Sequence, residues 1–329
     1  MRRFARSGAL AALGGASAVM IGGAALGLPP SDTGTSTLFS LLVTAPGLVI
    51  VGVVTAIETE AVFEAEASWG VETADAATVA AVTLGAATTR LAAVELALGA
   101  VVAAAAVGLL AAWLTPGYAA PVYCGAFVGM ASPALFANPL AVTVAGVVAG
   151  VVFVAADGVF TGYGGKLGTT AFVGCSAVAV PLAASGGTGT VVAPPTAAGF
   201  VPAGVVGAVA TFVVSGRLDR GAVEASALVG LAGGLLCPLL FGAGEALAAV
   251  VFCASFAGMV HPRRLPTAWL VALAGACCGL LVAATGTVFV GAGGKLGTIA
   301  FTACLLVRGL RLAGQAVPGW LPVAARAES

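Results

Sequence analysis

Residues 123–175 and 252–304 are two versions of one segment. They align at an offset of 129 without a gap, and 22 of the 53 positions are identical. YCGAFVGMASP at 123–133 meets FCASFAGMVHP at 252–262, and VFTGYGGKLGTTAFVGC at 159–175 meets VFVGAGGKLGTIAFTAC at 288–304. Shared hydrophobicity alone does not produce that much identity. The same offset sets Ala93-Val94-Glu95 beside Ala222-Val223-Glu224. Two copies of one unit therefore cover roughly 75–188 and 204–314, and residues 1–74 lie outside them.

Composition says what kind of unit is doubled. Of the 329 residues, 60% are apolar and 8% charged, with mean hydropathy +1.13 and zero formal net charge. A soluble domain carries about 25% charged residues, so this chain cannot clothe a water-facing surface. The charges are also too few to coat a nucleic acid or an acidic partner. Disorder needs low hydrophobicity and high charge, the reverse of what is present. What remains is an all-α polytopic membrane protein.

A spanning helix needs about 20 apolar residues. The candidates are 8–28, 37–57, 75–89, 92–114, 119–136, 139–160, 168–187, 198–215, 222–241, 244–261, 266–290 and 296–313. That is about 12 transmembrane helices, five in each copy. The domains expected are a transmembrane hairpin with an acidic cytoplasmic loop (1–74), a first copy (75–188), a linker (189–203), a second copy (204–314) and a cytoplasmic tail (315–329). The apolar run over 8–28 is longer than the usual signal-peptide core of about 7–15 residues, so it is read as a first spanning helix.

An odd number of helices per unit makes the second copy enter the membrane from the opposite side. Charge tests this independently. With both termini cytoplasmic, Arg2, Arg3, Arg6, Lys166, Arg217, Arg220, Arg263, Arg264, Arg308, Arg311 and Arg326 fall inside, and only Arg90 and Lys295 outside. That asymmetry is what the positive-inside rule requires. Inverted repeats are a recurrent plan of transporters and channels in the cell membrane, with the site near the midplane where the repeats meet.

The doubled GGKLGT motif is the leading candidate for that site. Gly164 and Gly165, with Gly293 and Gly294, break the helix; Lys166 and Lys295 follow, and then Thr169 and Thr298 as new helices start. A nucleotide-binding P-loop is excluded, because two glycines precede the lysine and Leu-Gly stands where Ser or Thr is needed. Lys295 lies 12 residues before Val307, about 18 Å along a helix, which places it within the roughly 30 Å hydrocarbon core. A lysine beside a helix N-terminus at that depth suits an anion or a carbonyl-bearing solute; the alternative is an interfacial lysine in a tight turn.

Glu95 and Glu224 form a second pair, each expected near a helix start, with Arg90 and Arg220 just upstream. Phe127 and Phe256, in the doubled F-x-G-M-x-x-P, are either pore-lining or helix-packing residues. Asp157, with Gly286 at the corresponding position, and His261 beside Arg263 are expected at the cytoplasmic interface. Residues 58–75 carry six acids (Glu58, Glu60, Glu64, Glu66, Glu72, Asp75) and read as a solvated connector. The seven cysteines sit in apolar stretches without metal spacing, as packing residues.

These features lead to a transporter or channel for a small solute, with an anion slightly ahead. A neutral-solute channel is the alternative; urea and ammonium channels share the plan of inverted five-helix halves, a likeness of architecture that reaches none of their signature residues. A non-transporting assembly or regulatory subunit is the alternative from another class. One histidine and no nucleophile–base set or metal cluster argue against an enzyme, and no cofactor or metal is expected. The expected partners are the lipid bilayer, a small solute or ion, and a second copy of the chain in a homo-oligomer.

Overall fold

The computed structural model describes residues 2–26, 35–64, 73–183, 199–217 and 221–316. The linker over 189–203 and the tail over 315–329 fall largely outside these residues, as do Glu66, Glu72, Arg220 and Arg326.

The described chain forms twelve α-helices and, among the described residues, no strand. In order they are α1 (Arg2–Leu26), α2 (Thr35–Glu64), α3 (Thr73–Val94), α4 (Ala100–Leu114), α5 (Ala119–Gly129), α6 (Pro139–Ala155), α7 (Lys166–Ala183), α8 (Phe200–Arg217), α9 (Ala222–Leu240), α10 (Gly244–Gly258), α11 (Ala268–Ala284) and α12 (Lys295–Ala316). Five of them are long and apolar enough to cross a membrane: Phe4–Ala25, Thr73–Val94, Phe200–Arg217, Ala222–Leu240 and Lys295–Gln315. Large apolar side chains stand on the outer surface, Leu114, Leu239 and Trp269 among them. Exposed apolar side chains of this size suit a surface that faces lipid.

Local chemistry sets several boundaries. The Asn138 side chain accepts from the Leu140 amide at 2.9 Å and Pro139 occupies the first turn, so α6 starts there. The third apolar stretch, expected as a short helix over 75–89, is a full 22-residue helix. It absorbs the residues assigned to the start of the fourth, which begins only at Ala100. Glu95 therefore does not open a helix. Its amide bonds back to Leu91 at 2.9 Å, on the C-terminal side of α3.

Small residues then allow close crossings. Gly85 of α3 lies against the Val122 carbonyl and Gly207 of α8 against that of Val251. Gly108 of α4 faces the Tyr123 ring, and Gly230 of α9 the Phe252 ring. The partners in α5 and α10 stand 129 apart, whereas the glycines stand 122 apart, because seven more residues separate Gly230 from Phe252 than Gly108 from Tyr123. In these contacts Glu224 matches Val102, which corrects its alignment with Glu95.

At the centre lie two short helices. α5 has 11 residues and α10 has 15, about 16 and 22 Å long and short of the roughly 30 Å core. Nearly every residue of α5 is buried, and the second half of α10 is buried throughout. α3, α4, α6 and α7 surround α5; α8, α9, α11 and α12 surround α10. α1 and α2 pair with each other and rest on α12, and α1 also touches α6, α7 and α11.

Candidate functional site

Each GGKLGT motif follows a turn that only a strained backbone can make. After α6 ends, Gly158, Gly162 and Gly165 have φ between 77° and 81°, and Phe160 has φ 48°. After α11 the pattern recurs, with Phe289 at 52°, Gly291 at 77° and Gly294 at 79°. Glycine takes this region without steric cost, which is why the motif's second glycine stands there. A phenylalanine with positive φ at both matching positions is unusual and needs surrounding packing to hold it.

The two turns reach across to the opposite half. Gly162 O accepts from the His261 amide at 2.9 Å, just past α10, and Gly291 O accepts from the Ser132 amide at 2.9 Å, just past α5. Gly164 lies on the Phe256 and Ala257 carbonyls, and Gly293 on those of Phe127 and Val128. Beyond the turns the first turns of α7 and α12 cross, with Gly168 and Gly297 in backbone contact that leaves no space for a side chain on either. The structure thus brings the two motifs together.

It does not bring the lysine charges to a shared point. Lys166 Nζ donates to the Ala156 carbonyl at 2.7 Å; Lys295 Nζ donates to the carbonyls of Thr285 at 2.6 Å and Val288 at 2.7 Å. Ala156 and Thr285 are the residues that close α6 and α11. Each ammonium therefore caps the negative end of the preceding helix, an arrangement that offsets the cost of a cation in an apolar setting. Thr169 and Thr298 bond back to Gly165 O and Gly294 O, both at 3.2 Å. Cys124 and Cys253 complete the set, their thiols on the Leu167 and Leu296 carbonyls at 3.2 and 3.1 Å.

Phe127 and Phe256 meet at the centre, ring centroids 4.6 Å apart. Tyr123 lies 4.4 Å from Phe127, and Phe252 lies 4.5 Å from Phe256. The four rings form one buried cluster between α5 and α10. Beside it the Tyr123 hydroxyl is 3.1 Å from Ser226 Oγ, which is 2.9 Å from Ser255 Oγ.

The glutamates stand elsewhere. Glu95 is exposed, and Glu224 at the start of α9 accepts from Trp113 Nε1 at 2.9 Å. Arg90 is buried and donates to the carbonyls of Ala131 at 2.9 Å and Phe136 at 3.0 Å, pinning the turn after α5. Asp157 pairs with Arg6 at 3.4 Å. His261 is exposed, and its Nδ1 accepts from the Arg263 amide at 3.1 Å.

One cluster escapes the sequence. Glu58, expected in a solvated loop, is buried on α2, where Arg264 donates to both carboxylate oxygens (Nη2 to Oε2 at 3.0 Å) and Tyr163 donates to Oε1 at 3.4 Å. The guanidinium also bonds Thr161 O at 3.0 Å and lies 4.5 Å from the Tyr163 ring centroid. The available signal was a departure from the repeat: Tyr163 and Arg264 stand where the other copy has Ala292 and Leu135. Comparison with known protein families, curated proteins and solved structures finds no match to this chain.

Proposed function

We propose that this protein is a transporter or channel for a small solute, that its two five-helix copies are inverted, and that the path runs between them past the Phe127–Phe256 contact. The observation that carries this reading is the pair of short, buried helices, α5 and α10, ending against glycine turns supplied by the opposite half. Irregular backbone at membrane depth leaves polar groups to be satisfied, and proteins retain it where it is buried or lines a path for solute. Broken helices meeting at a pseudo-symmetric centre are a recurrent way of building a midplane site.

The lysines favour a neutral solute over an anion. Each ammonium is already engaged on carbonyls that close the preceding helix, so its charge serves a helix end first. The sealed ring cluster fits a closed state, and it is equally what a non-transporting scaffold would have, so flux decides between them. Purified protein in liposomes should pass urea faster than protein-free vesicles do, read by stopped-flow light scattering. Replacing Phe127 and Phe256 together by Ala should raise the rate several-fold by removing the rings that close the centre. Wild-type and variant vesicles that both match protein-free ones would sink the proposal.

A further inference from the structure

At three central positions the copies differ by a polar group. Where YCGAF at 123–127 meets FCASF at 252–256, Tyr123 stands against Phe252 and Ala126 against Ser255. Four residues before Gly108 and Gly230, the glycines that face those rings, stand Ala104 and Ser226. The three polar members of these pairs, Tyr123, Ser226 and Ser255, meet in one chain, and all are fully buried.

The direction of the chain follows from its end. Ser255 donates its only hydroxyl hydrogen to the Phe252 carbonyl at 2.7 Å. Ser226 must then donate to Ser255, and Tyr123 to Ser226. What Tyr123 has left is an oxygen lone pair, an acceptor, held among aromatic rings. Phe, Ala and Ala at these positions would fill much the same space without polar atoms, and the matching positions of the other copy hold those residues. A buried polar chain kept where an apolar one fits calls for a role beyond packing.

We infer that Tyr123, oriented by Ser226 and Ser255, is the recognition point for the carried solute, and that this solute is a small neutral hydrogen-bond donor of the urea or amide type. The inference rests on the transport reading above. An N–H donor finds in the Tyr123 oxygen the acceptor it needs on leaving water. An anion finds there only a lone pair and apolar rings. Phe127 and Phe256 cover Tyr123 in the closed state, so admission requires those rings to turn. Ser226 and Ser255 are positioning residues, acting through the tyrosine.

The test is flux of urea and of formate into proteoliposomes carrying wild type, Tyr123→Phe, Ser226→Ala or Ser255→Ala. Each substitution installs the residue found at the matching position of the other copy. Urea permeability should fall at least tenfold in Tyr123→Phe and several-fold in the serine variants. The urea-to-formate ratio should fall with it, which loosened packing would not do selectively. Should Tyr123→Phe fail to insert, Ser226→Ala frees the tyrosine without altering its ring and reads the several-fold loss. Urea flux equal in wild type, Tyr123→Phe and Ser226→Ala overturns the recognition site. Formate passing faster than urea overturns the solute class. Wild type passing neither above protein-free vesicles overturns the transport reading beneath both.

Discussion

At the scale of single residues, identity and role came apart most at the lysines. Their repetition was legible, and so was the glycine break before them, because a doubled GGKLGT needs a doubled backbone geometry. Their partners were not legible, since a hydrogen bond to a main-chain carbonyl leaves no mark on the residue that supplies it. Removing a charged hydrogen bond of this kind costs about 1.5–3 kcal/mol. Lys166→Met and Lys295→Met should therefore lower the melting temperature in detergent, the second more because Lys295 holds two carbonyls. Unchanged melting in both variants would show that the caps contribute nothing. Phe127 and Phe256 were legible as a pair, but whether they line or close the centre depended on how α5 and α10 cross.

Among elements, helix count was readable and helix ends were not. Twelve apolar stretches gave twelve helices, five of them long and apolar enough to cross a membrane. The ends depend on caps and crossings, so α5 stops at Gly129 where the apolar run continues to residue 136. The α1–α2 hairpin shows the same limit. Its acids read as a solvated segment, yet Glu58 forms a buried pair with Arg264, joining α2 to the turn between α10 and α11. Removing one partner of a buried pair costs about 3–5 kcal/mol, and the partial exposure of Arg264 places this one toward the low end. Glu58→Gln and Arg264→Met should each destabilise, and the double variant should lose less than the two effects added. Strict additivity in unfolding measurements would mean that the pair is not coupled.

On the scale of the whole molecule, polar contacts tie distant elements together: Arg6 pairs with Asp157, and Arg264 binds Glu58 and Thr161 O while its own carbonyl accepts from the Arg311 side chain. Inversion itself calls for a labelling test. In a variant without native cysteines, Thr161→Cys and Thr287→Cys, both at exposed positions in the matching turns, should react with an impermeant maleimide from opposite faces of sealed vesicles. Reaction from one face would end the inverted arrangement. The crossing of the two turns has a further meaning for how such a chain is made. While the ribosome is still synthesising the second copy, the end of α5 has no cover over its Phe127 and Val128 carbonyls, because the Gly293 that seals them has not yet emerged. The first copy is thus an unfinished object in the bilayer, dependent on residues more than a hundred positions downstream. Expressed alone, residues 1–190 should be degraded by membrane quality control. Supplied with residues 191–329 as a separate chain, they should accumulate, since the seal is made by contact between the halves and not by their peptide link.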